Sequence, residues 1–399
     1  MTEKSKPKKR IGLVLTMVPA YSETFFRNKI SILEKAGYEV VVFASGGRDT
    51  SGRIRHIVTG YDTELPRYRK FLPFLLAVAR LLVNAPAALR LHRMNREDGF
   101  DSKGNIASLI VSAHILGHKV DWLHFGFASN ALMMENVAKV IGARMAVSIR
   151  GYDICILPLK NPGCYKRVWR RTEKLHYISD ALYRLALADG LHASVTAEKI
   201  QPAADISALD RLPAPTQAKD GVIRFLTIGR LTWKKGYGHM LHALSKLKSD
   251  GVRFTYGIIG EGEDLEELLY LRRMLGLSDE VVLEGRKSHA DTLALLSRCD
   301  VYLQYSIQEG YCNAVVEAQM MGKACIVSDA EGLPENVIHE RTGWVVPRNE
   351  PSLLAEAIRK VLALPPGERD EVCRNASQRI RNDFSLEEQG RKFVKFYSV

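Results

Sequence analysis

The chain has 399 residues, 46% hydrophobic and 26% charged, the composition of a soluble globular protein too long for a single ordinary core. Six cysteines without C-x2-C spacing, several of them in apolar runs, read as buried reduced thiols rather than a disulfide framework. The net charge of +12 is uneven, with 18 Lys and Arg against 9 Asp and Glu in residues 1–100, so the partner is nucleic acid, an anionic membrane surface or a phosphorylated substrate.

Residues 1–10 read as a basic disordered tail, and the apolar run 11–15 is too short for a secretory signal, so a reducing, cytoplasmic setting is expected. A buried-type strand is predicted over 11–16, a helix over 23–35 with Ser22 as its cap and Gly37 as its stop, and a second strand over 38–44. Strand, helix and strand in this order open a parallel doubly wound sheet, whose ligands bind beyond the C-terminal strand ends. Between Pro66 and Arg96 lies a basic, apolar helical stretch. Arg80, Pro73 and Pro86 interrupt it too often for a membrane span, which leaves a helix in the membrane interface or an ordinary helix packed on a sheet. Further strand ends are expected at Asp121-Trp-Leu-His124-Phe-Gly126 and at Ala143 to Asp153, and Ser179 is expected to cap a helix. Asp153 reads equally as a helix cap or as an acceptor contact.

Residues 206–221, rich in Pro and Ala, form the predicted linker between an N-terminal domain (11–205) and a C-terminal domain (222–380). In the second domain strands are predicted over 225–228, 254–259, 281–284, 300–305, 324–328 and 343–346, alternating with helices. The first strand runs into Gly229-Arg230-Leu-Thr-Trp-Lys-Lys235-Gly236, where two cations at a strand-to-helix turn suit a diphosphate: Arg offers a planar fork and Lys a point charge. Gly260-Glu-Gly262 ends the next strand, a weak sign of close phosphate approach. The fourth strand runs into Glu309-Gly310-Tyr311-Cys312-Asn313-Ala-Val-Val-Glu317. Gly310 is expected to allow a tight turn and Asn313 to cap a helix over 314–320 whose free N–H groups attract phosphate. Glu309 on the loop and Glu317 one turn into the helix can accept from sugar hydroxyls.

Gly229-Arg230, Lys235-Gly236, Gly260-Glu-Gly262 and Glu309 with Glu317 together resemble the C-terminal half of a retaining glycosyltransferase of family 4, most strongly over residues 222–347. The resemblance implies the GT-B fold: α/β, two Rossmann-like doubly wound domains facing across a cleft, with a C-terminal helix (381–399) crossing back to the first. It implies a UDP- or GDP-sugar donor with its diphosphate at Arg230 and Lys235, supported by Gly260, Gly310, Tyr311, Cys312 and Asn313. The nucleobase lies at Gly285-Arg286, the ribose at Glu317 and the sugar hydroxyls at Glu309. His124 resembles the family's histidine near the donor sugar or the acceptor, and Ser22, Arg150 and Asp153 fall on the acceptor side. Two departures stand out. Residues 19–25 replace the family's Gly-Gly loop, as in some polysaccharide-building members, and Arg150 stands where a His is usual. No D-x-D pattern is present to hold a metal, and no cofactor beyond the donor is implied. The expected partners are the nucleotide-sugar, a glycan or lipid-linked acceptor and the inner face of the cytoplasmic membrane. Nucleic acid is not expected, because aromatics do not interleave the basic clusters; the oligomeric state stays open. The alternatives are a sugar-nucleotide epimerase of the same fold and a non-catalytic binder of anionic surfaces or nucleic acid.

Overall fold

The computed structural model describes residues 9–19, 24–49, 52–59, 67–203 and 220–398. The chain divides into two compact units, Met1–Gln201 with Gln389–Val399, and Pro202–Glu388.

Unit 1 is built on seven parallel strands: β1 (Arg10–Met17), β2 (Glu39–Gly46), β3 (His56–Val58), β4 (Trp122–Phe125), β5 (Arg144–Ile149), β6 (Lys174–Tyr177) and β7 (Thr196–Lys199). Their order is β3-β2-β1-β4-β5-β6-β7, so the sheet reverses direction of growth between β1 and β4. The central strands are apolar because helices cover both faces of a parallel sheet; β1 is buried from Ile11 to Leu15 and pairs Ile11 with Val40 on one side and with Trp122 on the other. Phe393, Phe396 and Tyr397 of the helix Leu386–Ser398 complete that core together with Ile11, Leu13 and Trp122.

The basic apolar stretch is not one helix. It forms two, Arg67–Val83 and Ala85–Glu97, which meet at a bend of 100°. Pro86, in the first turn of the second helix, explains the break: its ring excludes a carbonyl partner one turn back, and a helix start is the place that tolerates it. Ala77, Val78 and Leu81 pack against Ile110 and Ala113, while Phe71, Leu72, Leu75 and Leu76 are left exposed. Among the described residues no single helix is long and apolar enough to cross a membrane.

Unit 2 holds six parallel strands: β8 (Ile223–Ile228), β9 (Phe254–Ile259), β10 (Val281–Gly285), β11 (Val301–Gln304), β12 (Ala324–Ser328) and β13 (Trp344–Val346). The order is β10-β9-β8-β11-β12-β13, again doubly wound, with its reversal between β8 and β11. One helical layer, including Tyr237–Ser249 and Pro351–Ala363, buries Met240, Leu244 and Ile358 against one face. The other, including His289–Arg298 and Asn313–Met320, buries Leu293, Leu296 and Val315 against the opposite face. The helix read as beginning at 314 begins at Asn313, so Asn313 is its first residue and Cys312 the residue before it.

Candidate functional site

The two loops singled out by their charges follow β8 and β11, the neighbouring strands at which the second sheet reverses. In a doubly wound sheet this crevice is the ligand position. Backbone contacts lock the loops together: the amides of Ile307 and Gln308 both donate to the Lys234 carbonyl, at 2.7 and 3.2 Å. Gly236 makes this possible. Its φ is +63°, and a Cβ there would lie 2.2 Å from the Tyr305 carbonyl oxygen. Gly260 does the same for the β8 and β9 ends: its φ is +152°, and a Cβ would meet the Gly229 oxygen at 1.9 Å.

In this frame Lys235 Nζ forms an ion pair with Glu309 Oε2, both side chains being more than four-fifths buried. Burial pulls the Lys235 ammonium down, but the Glu309 charge and its hydrogen bond outweigh it and hold the ammonium above its usual value. Ser306 Oγ lies 3.5 Å from the same carboxylate oxygen. Arg230 is exposed; its carbonyl accepts from the Thr232 amide at 2.9 Å, and its side chain makes no hydrogen bond or ion pair with the described residues. Arg286 is exposed just past β10. Glu317 Oε1 sits 3.1 Å from His289 Nε2, at the start of a helix capped by Ser288. The arrangement therefore offers one free fork of donors, one paired ammonium with spare N–H groups, and carboxylates that accept.

Four residues of the second loop were expected at the ligand. The chain bends at Gly310, but without a positive φ, so the bend does not need glycine's left-handed freedom. Tyr311 and Cys312 are buried, Tyr311 stacking on Phe384, so only their backbone can face a ligand. The Cys312 amide is already bonded to Asn336 Oδ1 at 3.1 Å, and Asn313 is exposed at the helix start rather than capping it. The supports that fix this loop lie far from it in sequence. Glu331 accepts from the Glu309 amide at 2.9 Å and from Arg348 at 2.9 Å, and Arg348 also donates to the Ile307 carbonyl at 2.7 Å. The available sign was position: Glu331 follows β12, the next strand end along the same edge.

The acceptor-side residues belong to unit 1. Ser22 lies outside the described residues. His124, on β4, has no exposed surface and so cannot touch a donor or acceptor here. It is one link in a buried relay. Tyr397 Oη lies 2.5 Å from His124 Nδ1, His124 Nε2 lies 2.7 Å from Ser148 Oγ, Ser148 Oγ lies 2.7 Å from His176 Nδ1, and His176 Nε2 lies 2.8 Å from the Ile200 carbonyl. Burial, followed by the charge of Lys29, holds both histidines well below their usual value, which favours neutral rings. A carbonyl can only accept, so His176 Nε2 donates to Ile200, and with neutral rings Ser148 donates to His176 Nδ1, His124 Nε2 to Ser148, and Tyr397 to His124 Nδ1. Asp153, 1% exposed, is a cap and not an acceptor contact: Oδ1 accepts from Ser129 Oγ at 2.9 Å and Oδ2 from the Arg150 amide at 3.2 Å. Arg150 keeps part of its surface exposed and lays its guanidinium over the Phe25 ring.

Comparison with known proteins places this geometry. The family model described as glycosyl transferases group 1 matches residues 210–382. A protein of Escherichia coli (strain K12) named as a colanic acid biosynthesis glycosyltransferase, WcaL, is 28% identical over 399 residues, covering 94% of this chain and 96% of its own. The amylovoran biosynthesis glycosyltransferase AmsK of Erwinia amylovora is 28% identical over 380 residues, 89% of this chain and 90% of its own. Among solved structures, Alr3699/HepE of Anabaena in complex with UDP and glucose superposes with a TM-score of 0.73 at 16% identity, over 98% of this chain and 99% of that one. At that identity the likeness establishes the fold alone.

Proposed function

We propose, from the premise that this chain is a glycosyltransferase of GT-B fold, that it moves a sugar from a nucleotide diphosphate donor to a growing surface polysaccharide, with retention at the anomeric carbon. The observation that carries the reading is the Lys235–Glu309 ion pair that joins the two charged loops at the reversal point of the second sheet, with Arg230 on the first loop and Glu317 on the helix that follows the second. The leaving group is a nucleoside diphosphate, whose growing negative charge needs fixed donors. Arg230 supplies a free fork. Lys235 has three N–H groups, so it can hold Glu309 and a phosphate oxygen together. Glu309 then accepts from the donor sugar hydroxyls and Glu317 from the ribose, with Arg286 beside the base. No carboxylate nucleophile is invoked: the acceptor hydroxyl's proton passes to the departing phosphate, and no metal takes part.

The donor is a UDP- or GDP-sugar; the UDP bound to the Anabaena protein favours the first. The test is a thermal-shift panel of uridine, guanosine and adenosine diphosphate sugars. The matching donor raises the melting temperature of the wild type, with or without chelator. Arg230→Ala weakens its binding about tenfold to hundredfold, the effect of one charged hydrogen bond. A wild type that responds to none of the panel overturns the reading.

The acceptor is a glycan, lipid-linked at the inner face of the cytoplasmic membrane. The names of the two enterobacterial relatives support a polysaccharide product. The membrane half of the reading rests on Phe71, Leu72, Leu75 and Leu76, exposed beside a chain segment rich in arginine, as in helices that lie in an anionic interface. Leu72→Glu with Leu76→Glu should reduce co-sedimentation with phosphatidylglycerol vesicles by about tenfold or more. Equal recovery of variant and wild type removes the membrane from the scheme.

A further inference from the structure

Arg150 is a cation built into unit 1 whose guanidinium forms no ion pair among the described residues. It follows β5, and its guanidinium carbon lies 3.8 Å from the centroid of Phe25, with Phe26 at 5.2 Å and Phe127 at 5.5 Å. Nε and Nη2 are buried and have no hydrogen-bond partner among the described residues. Asp153 is the carboxylate close enough to act on it, yet its oxygens accept from Ser129 and from the Arg150 main chain, not from the guanidinium. The other ionisable groups that feel its charge, Lys29, His124 and His176, are basic and are pushed down by it. Burial lowers the guanidinium itself to about 10, so it is still charged at neutral pH.

Aromatic rings attract a guanidinium through its flat face. Its N–H bonds point outward in the plane, at right angles to that contact. Three phenylalanines therefore hold the fork in place and leave Nε and Nη2 unused. Unpaired buried donors are costly, and a folded protein keeps them where something else completes them. The place fits. Arg150 follows β5, Phe127 follows β4, and Phe25 and Phe26 lie in the first turn of the helix after β1, so all four groups sit at the C-terminal edge of the first sheet, around its own reversal point.

We infer that Arg150 is the oxyanion subsite of the acceptor half, gripping a two-oxygen anion of the acceptor in the plane of its fork and so selecting anionic acceptors. The inference rests on the reading of unit 1 as the acceptor-binding half. The shared chemistry is a carboxylate or a phosphate; the sources are an acidic sugar or a phosphate-linked glycan. Arg is suited to either because it binds both in bidentate fashion.

Titration separates these. With the full-length protein held at saturating UDP, so that the donor site is filled, glucuronate, inorganic phosphate and glucose are each titrated and followed by calorimetry. The wild type binds at least one of the two anions and not glucose. Arg150→Gln loses about tenfold or more of that affinity, while the thermal shift with UDP is unchanged. Arg150→Lys, which keeps the charge over Phe25 but lacks the fork, falls between them and serves if the Gln variant does not fold. Glucuronate alone identifies an acidic sugar; phosphate alone identifies a phosphate link. Equal affinity of wild type and both variants, or no anion binding by the wild type, overturns the subsite. A wild type that shifts with neither UDP nor GDP overturns the donor reading instead, so the two failures are distinct.

Discussion

Glu309→Gln lowers the transfer rate about a hundredfold or more and leaves no sugar attached to the protein. The substitution keeps the shape of the side chain and removes its charge, so the strongest acceptor facing the donor sugar is lost in the transition state, where such groups count most. Nucleotide affinity survives, because Arg230 and Lys235 are untouched and Lys235 is released from its ion pair. Stability falls by less than the roughly 3–5 kcal/mol of a fully buried broken pair, since both side chains retain some exposure and the amide still accepts from Lys235. Steady-state rates, UDP thermal shifts and intact-protein mass spectrometry check the three parts. A covalent glycosyl adduct on Glu309 would falsify the assignment of this carboxylate as a hydroxyl ligand. An unchanged rate would remove it from the site.

Acidification from pH 7.5 to 5.5 destabilises unit 1 by about 4 kcal/mol, while unit 2 changes little. Three buried histidines set the effect. Burial holds His114 down at about 3, and burial with the charge of Lys29 holds His124 and His176 well below their usual value. Unfolded, all three protonate near pH 6.5. Below that pH the unfolded chain binds protons that the folded one refuses, so stability is present above about 6.5 and is lost as pH falls, by about 1.4 kcal/mol per unit for each group. The relay explains the refusal. A second proton on His124 would face the Tyr397 hydroxyl, and one on His176 would face Ser148, each replacing an acceptor by a donor. Lys29, 3.4 Å from both ring nitrogens of His124, adds repulsion. Glu135 and Asp153, held up chiefly by burial, act in the opposite sense, over windows that open at their unfolded values of about 4. Denaturant melts followed at Trp122 and Trp169, both in unit 1, measure the loss, and His124→Gln should flatten the slope by about 1.4 kcal/mol per pH unit. A unit 1 transition with the same midpoint at both pH values refutes the account.

Much of the second sheet was legible in the chain. Short apolar runs ending in Gly229, Gly260 and Gly285 mark strands that stop where the backbone must turn, and the observed strands differ from the predicted bounds by at most two residues. The charged loops after β8 and β11 could be found for the same reason: cation and carboxylate spacing is local information. The bend at Asn84 was half legible, since Pro86 was visible but its effect depends on how the second helix starts.

What stayed hidden depended on residues far apart in sequence. Lys235 and Glu309 were assigned to different parts of the donor, yet 74 positions apart in the chain they meet as an ion pair. His124 looked like a ligand until Tyr397, 273 positions on, closed over it. The partners of Arg150, by contrast, are aromatic rings whose spacing carries no recognisable pattern. Local sequence determines where strands end, where glycine must sit and which charges flank a turn, because those depend on steric limits within a few residues. Which charges are paired, buried or left open is decided by packing alone, because burial and the partners it brings exist only once the sheets have formed.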